Sequence, residues 1–169
     1  DHASGPYLFD VDGRRYIDYL LGSGPMLLGH APPEIVEVVQ QQVAKGLSYF
    51  TMSEKIVEFA ERIIEIVPCA EQVRFVSTGT EATFHALRIA RAYTNKPKLL
   101  KFEGNYLGYH DQVMFSIGTP ADRLGHETAP SKHPGSTGLT PGLDDLLVLV
   151  PFNRPDLLQR AVSEHAHEL

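Results

Sequence analysis

The stretch that decides the fold is Val73-Arg-Phe-Val-Ser-Thr-Gly-Thr-Glu-Ala82. Its first five residues are short and rich in β-branched and aromatic types, which predicts a strand over 73–77. Thr78, Gly79 and Thr80 come next, and a helix is predicted to begin at about Thr80. A strand that passes through a short polar turn into a helix is the repeating unit of α/β folds.

The same alternation continues on both sides of this stretch. The predicted elements are a β-hairpin with a tight primed turn at Asp12-Gly13, helices over 34–45, 53–67 and 80–93, strands over 98–102 and 146–150, and a helix from about Pro155. The last strand is wholly apolar, as a strand covered on both faces would be. We therefore predict an α/β fold with a mostly parallel sheet, preceded by an N-terminal β-hairpin segment.

The predicted organisation has two parts. Residues 1–32 form the hairpin segment, and residues 33–169 form part of a large α/β domain. Within the second part, residues 118–142 are rich in Gly and Pro and show no periodicity, which predicts a long loop. Loops of this length are typically lids, binding loops or disordered segments. Because the chain ends within a helical pattern and shows few central strands, we expect it to be the front part of a larger protein.

Composition excludes several classes of function. Fifteen Lys and Arg against 21 Asp and Glu give a net charge of −6, which argues against nucleic-acid binding. No apolar run approaches the length of a membrane helix, and the charged first twenty residues do not resemble a secretion signal. The single cysteine, Cys69, cannot form an internal disulfide, so a cytoplasmic location is expected.

Thr78, Gly79 and Thr80 predict a phosphate site. Backbone N–H groups at the start of a helix, together with the helix dipole and nearby hydroxyls, bind an anion without net positive charge. The alternative is that Thr78 or Thr80 is only the N-cap of an ordinary helix.

The eight histidines show no ligand spacing, so no metal is expected, and His85 is interpreted as a half-buried packing residue.

Tyr106 is the second candidate site residue. It follows the strand predicted over 98–102 and lies between Gly104 and Gly108, which allow the chain to turn sharply. Ligands of α/β proteins bind at the carboxyl ends of strands, and a tyrosine there can stack on a planar ring. The alternative is that Tyr106 packs under the loop that follows it.

Taken together, these segments resemble the front half of a class III pyridoxal-phosphate-dependent aminotransferase of fold type I, and most of all its glutamate-1-semialdehyde 2,1-aminomutase branch. The segments that carry the resemblance occur in the family's order and spacing across nearly the whole chain: Asp10-Val-Asp-Gly-Arg-Arg-Tyr-Ile-Asp-Tyr19, Gly29-His30 ahead of Pro32-Pro33, Val73 to Ala82, Arg88-Ile-Ala-Arg-Ala-Tyr-Thr94, and Lys101-Phe-Glu-Gly-Asn-Tyr106 with Gly108.

The resemblance implies roles for individual residues. Thr78, Gly79 and Thr80 would hold the phosphate of pyridoxal 5′-phosphate, and Tyr106 would stack on its pyridine ring. Ser23 would contact the substrate, an amino acid or a keto acid or aldehyde. A homodimer with shared active sites is also implied.

The chain departs from the family pattern at three points. Leu107 stands where the family has histidine, and Ser23 stands where the aminomutase branch has tryptophan. The lysine that forms the Schiff base and the acid that pairs with the pyridine nitrogen lie beyond residue 169 in family chains, and none of the six lysines here has the expected context. We therefore expect the chain alone to be inactive and to bind the cofactor weakly.

The expected function is that of the N-terminal part of an aminotransferase, with intramolecular amino exchange by an aminomutase as the alternative. Two other hypotheses stay open. One is a binding or assembly module that keeps the fold without the chemistry. The other is an unrelated phosphate-binding α/β protein.

Overall fold

The computed structural model describes all of residues 1–169 and divides into two compact units, Asp1–Val73 and Arg74–Leu169. The helices of both units fall short of the length and apolar character that a transmembrane span requires.

The first unit begins with a three-stranded antiparallel sheet in the order β1 (His2–Ser4), β2 (Tyr7–Phe9) and β3 (Arg15–Ile17). In the register of β2 and β3, Tyr7 lies opposite Ile17 and Phe9 lies opposite Arg15. The predicted hairpin is therefore confirmed, whereas β1 was not predicted. Three residues are too few for a period-2 pattern to be recognised.

The predicted primed turn at Asp12-Gly13 is wrong. Gly13 alone has a positive φ, +78°, whereas a primed type I turn needs two such residues. The carboxylate of Asp10 instead accepts hydrogen bonds from the backbone N–H groups of Asp12 (3.0 Å) and Arg14 (2.9 Å). This side chain satisfies the turn amides, so the hairpin closes through the longer loop 10–14.

Two helices follow in the first unit, α1 (Pro33–Val43) and α2 (Glu54–Ile66), as predicted. Proline is tolerated at the first position of α1 because an N–H there would have no acceptor inside the helix. The apolar faces of both helices stay open in this chain, since Ile35 is 49% exposed and Phe59 is 58% exposed. No side chain of residues 1–73 is fully buried.

The second unit is built on two parallel strands, β4 (Leu99–Phe102) and β7 (Leu147–Val150). The helices α3 (Gly79–Thr94) and α4 (Pro155–His165) precede and follow this strand pair in sequence. Both strands and both helices were predicted. In sequence the order is helix, strand, strand, helix, and the two strands pair in parallel. This arrangement confirms the α/β architecture.

The core of the second unit lies around β7 and the segment 113–116. Its buried apolar side chains are Val113, Met114, Phe115, Leu147, Val148 and Val150. Lys101 is also buried, and its Nζ lies 3.3 Å from the carbonyl oxygen of Ser116. Desolvation lowers the pKa of Lys101.

The strand predicted over 73–77 is wrong. These residues form no ladder with any other part of the chain and are assigned no regular structure. A strand is stable only when its backbone groups pair with a neighbour, and here β4 pairs with β7 alone. The β-rich composition of 73–77 therefore does not suffice to form a strand within these 169 residues.

The long segment 118–142 contains more structure than its composition indicates. It holds the short antiparallel pair β5 (Gly125–His126) and β6 (Ala129–Pro130). An isolated bridge between Phe115 and Pro134 also joins it to the core segment. The loop is thus tied to the core at its middle.

Candidate functional site

The first turn of α3 begins with a reciprocal cap. The Oγ1 of Thr78 accepts a hydrogen bond from the backbone N–H of Glu81 at 3.1 Å. In return, Oε2 of Glu81 accepts from the N–H groups of Ser77 (2.6 Å) and Thr78 (3.1 Å). This capping box satisfies three amides, so Thr78 does act as the N-cap of α3.

The cap leaves the amides of Gly79 and Thr80 without an acceptor. These are the first two residues of α3, whose N–H groups have no partner inside a helix, and neither donates to any other atom of the chain. Gly79 is exposed, and a Cβ at this position would meet no atom within 4 Å. Two adjacent N–H donors are therefore unpartnered at the positive end of the helix dipole, and the space beside Gly79 is open.

A second element, the 104–110 loop, lies against this turn. Gly108 has φ +108°, and a Cβ there would lie only 2.9 Å from Cα of Thr80. The backbone N–H of Tyr109 donates to Oγ1 of Thr80 at 3.0 Å. The loop therefore approaches the first turn of α3 closely at Thr80, and only glycine fits at position 108.

The same loop carries Tyr106. Tyr106 lies two positions before Gly108, so their Cα atoms are at most about 7 Å apart. The side chain of Tyr106 is 60% exposed and its hydroxyl makes no hydrogen bond within the chain. The structure thus brings Thr78, Gly79, Thr80 and the backbone around Tyr106 into one region, with the aromatic ring accessible to a ligand.

The end of the loop is held by side chains. Nε2 of His110 lies 3.3 Å from Oγ1 of Thr83, one turn into α3. Desolvation lowers the pKa of His110, an effect that the charge of Asp111 opposes and that of Arg91 increases. Asp111 in turn accepts hydrogen bonds from the backbone N–H (3.1 Å) and the hydroxyl (2.7 Å) of Thr140, and these bonds lower its pKa.

Ser23 belongs to the first unit. It is exposed, and its φ of +64° lies in a run of left-handed residues from Leu21 to Gly24. Such a conformation is uncommon for non-glycine residues and occurs often at functional sites. Close to this run in sequence, the carboxylate of Asp18 accepts from the N–H groups of Leu20 and Leu21 and bonds the ring of His30 at 2.7 Å.

Several residues of this region were not identified from the sequence. The capping box has a readable signature, threonine followed three residues later by glutamate, which assigns Thr78 as the cap. The contacts of Gly108, His110 and Thr83 have no such signature because they join residues 27 to 29 positions apart.

No group of three or more His, Cys, Asp or Glu side chains in the structure could hold a metal ion.

The chain is similar in sequence and in fold to aminomutases and transaminases. The 169 residues are 44% identical to glutamate-1-semialdehyde 2,1-aminomutase of Rhodopirellula baltica, of which they cover 37%. Among solved structures, an omega-transaminase from Sphaerobacter thermophilus matches over the whole chain with a TM-score of 0.91 and 34% identity, and a transaminase with PLP bound matches with a TM-score of 0.87 and 36% identity. The chain spans 38% of each of these two structures.

These matches confirm the predicted fold type I architecture. The family model described as Aminotransferase class-III matches residues 1–144. The chain belongs to the class-III aminotransferase family.

Proposed function

We propose that this chain binds the phosphate and the pyridine ring of pyridoxal 5′-phosphate within an enzyme that moves an amino group. Thr78, Gly79 and Thr80 would hold the phosphate, and Tyr106 would stack on the ring. The observation that carries this proposal is the pair of unpartnered amides at Gly79 and Thr80, beside a loop that presents an accessible tyrosine. Membership of the family and a similar transaminase with PLP bound support it.

The residues present fit this cofactor. Its phosphate carries about two negative charges and several acceptor oxygens, which match the two free N–H donors and the helix dipole. Oγ1 of Thr80 already accepts from the N–H of Tyr109, so its hydroxyl proton remains available for the phosphate. The carboxylate of Glu81 is occupied by the amides of Ser77 and Thr78.

Bound pyridoxal phosphate supplies an electron sink for the bond that breaks at the substrate's amino-bearing carbon. The residues of this chain fix its orientation. The N–H donors of Gly79 and Thr80 would hold the phosphate end of the cofactor, and the face of Tyr106 would restrict rotation of the pyridine ring. Holding the reacting group in one geometry accounts for a large part of enzymatic rate acceleration.

The substrate is proposed as an amino acid or a keto acid or aldehyde, contacted by Ser23. In this proposal residues 1–32 form the active-site entry and residues 33–169 form part of the cofactor-binding domain of a homodimer. Lys101 is not a candidate for the covalent link to the cofactor. The hydrogen-bond partners of its buried Nζ are the backbone oxygens of Phe102 and Ser116.

Two reactions fit the proposal. Transfer between two substrates is supported by the likeness to an omega-transaminase. Intramolecular exchange is supported by the higher identity to an aminomutase. Assay of the full-length protein with separate amino donors and acceptors, and with an amino aldehyde alone, distinguishes the two.

The test of cofactor binding is the substitution Gly79→Ala. Because no atom lies near the added methyl and φ is not positive, the variant should fold as stably as the parent. The methyl would hinder approach of an anion to the amides, so we expect the affinity of the full-length apoprotein for inorganic phosphate and for pyridoxamine 5′-phosphate to fall about tenfold.

Gly118→Ala is the matched control, because Gly118 also lacks a positive φ and neighbours within 4 Å. Its affinities should equal those of the parent. Unchanged affinity in Gly79→Ala, with intact folding, would refute the proposed phosphate site.

A further inference from the structure

The attachment of the 104–110 loop to α3 uses two separate sets of contacts. The first is made by the backbone of the loop at Gly108 and Tyr109, which meets Thr80. Thr80 belongs to the phosphate site itself. The second set lies one turn further along α3, where Thr83 meets His110, and the proposed function gives neither of these two side chains a role.

At the second set, the hydroxyl of Thr83 lies 3.1 Å from the carbonyl oxygens of both Gly79 and Thr80 and 3.3 Å from Nε2 of His110. Carbonyl oxygens only accept, so the hydroxyl proton points to the helix backbone and Nε2–H of His110 donates to Oγ1. Nδ1 of His110 is buried without a partner. With the proton on Nε2, Nδ1 carries only an unpaired lone pair. A buried N–H without an acceptor at Nδ1 would cost more free energy.

Packing restricts the ring of His110 further. Its centroid lies 5.7 Å from that of Phe84 at an interplanar angle of 78°, an edge-to-face arrangement. His110 is thus held by one hydrogen bond and one ring contact, both to consecutive residues of α3. The 104–110 loop ends at this point, four residues after Tyr106.

We infer that Thr83 and His110 are positioning residues that set the place of Tyr106 relative to the free amides of Gly79 and Thr80. The inference rests on the proposed function. Thr83 bonds the carbonyl of Gly79 on one side and His110 on the other, so one side chain joins the phosphate-binding turn to the loop that carries the aromatic ring. Neither side chain is part of the proposed cofactor site.

The test compares two probes on the full-length apoprotein, inorganic phosphate and pyridoxamine 5′-phosphate. The first needs only the helix turn, and the second needs the turn and the ring in register. Thr83→Val keeps the shape of the side chain and removes the hydroxyl. We expect its dissociation constant for pyridoxamine 5′-phosphate to rise about three- to tenfold, with phosphate affinity unchanged.

Three controls complete the experiment. Thr83→Ser restores a hydroxyl and should restore binding. Thr94→Val removes a comparable bond, from Thr94 Oγ1 to the carbonyl of Ala90 at the far end of α3, and should change neither affinity. His110→Phe keeps the ring contact with Phe84 and should reproduce Thr83→Val, and the double variant should be no weaker than either single one because both remove the same bond.

Equal loss of both affinities in Thr83→Val, or no loss of either, would overturn the positioning role. Failure of the parent protein to bind either probe would instead refute the proposed function. Hydrogen exchange gives an independent measure. The Tyr109 amide should exchange faster in Thr83→Val than in Thr94→Val, and equal rates would overturn the inference.

Discussion

The two helices of the second unit begin in opposite ways. α4 starts with Pro155, which has no N–H, and carries Asp156 in its first turn, where it pairs with Arg154 through bonds of 2.9 and 2.6 Å. α3 starts with Gly79 and Thr80, whose N–H groups are present and unpartnered. α4 therefore supplies its own anion, whereas α3 leaves room for one from outside.

This difference shows what a helix N-terminus needs before it can bind a ligand. Both helices have the same backbone dipole, so the dipole alone does not distinguish them. The distinguishing features are free amides, a small first residue and a neighbouring loop that contributes further groups. In α3 the capping carboxylate of Glu81 bonds the amides before the helix and leaves the first two helical ones free.

The largest expected effect concerns the contact between the 104–110 loop and α3. Gly108→Ala places a Cβ 2.9 Å from Cα of Thr80 at a φ of +108°. Overlap and backbone strain together should lower the free energy of unfolding by about 2–4 kcal/mol. Urea denaturation of the full-length protein measures this change.

Gly104→Ala is the control for backbone strain alone. Gly104 has φ +82° but no atom within 4 Å of the added methyl. Its loss should be about 1–2 kcal/mol. An equal effect of the two substitutions would mean that the close approach to Thr80 contributes nothing.

A smaller effect is expected for Tyr106→Ala. Loss of the ring should weaken binding of pyridoxamine 5′-phosphate about fivefold to tenfold in isothermal titration, while phosphate binding stays constant. Tyr106→Phe keeps the aromatic face and should bind as the parent does. Tyr109→Ala removes a comparably exposed ring, at 68% against 60%, and should have no effect. If Tyr109→Ala weakened binding and Tyr106→Ala did not, the stacking residue would be Tyr109, and the proposed role of Tyr106 would be wrong.

The smallest effect is expected at α4. Hydrogen bonding by Arg154 lowers the pKa of Asp156 from 3.8 to about 2. Because the folded pKa is below the unfolded one, this carboxylate stabilises the fold fully above about pH 4, and its contribution is lost as the pH falls towards 2. Asp156→Asn should therefore lower Tm slightly at pH 7, and by less at pH 2, where the carboxylate is about half protonated in the folded protein. An equal difference at pH 7 and pH 2 would contradict the assignment.

Much of the fold could be predicted because the governing interactions are local. The sequence pattern indicated all four helices, the hairpin and the strands β4 and β7. The two failures had different causes. The composition of 73–77 favours a strand but cannot supply a pairing partner, and the side chain of Asp10 changed the turn at Gly13.

The candidate site was predicted in part for the same reason. Thr78, Gly79 and Thr80 are adjacent in sequence, so their place at the start of α3 follows from the helix pattern. Their alternative interpretation as an ordinary cap is also correct for Thr78, and the two interpretations are compatible because the cap uses other amides. The bonds that hold the 104–110 loop join distant residues and required the structure.

The central claim is that the amides of Gly79 and Thr80 are donors for a phosphate. The most direct measurement is a phosphate titration of the full-length apoprotein labelled with ¹⁵N in glycine and threonine, followed by amide chemical shifts. The account predicts that Gly79 and Thr80 shift downfield together with one dissociation constant, while Thr78, already bonded to Glu81, shifts less. Unmoved Gly79 and Thr80 resonances at saturating phosphate would contradict it.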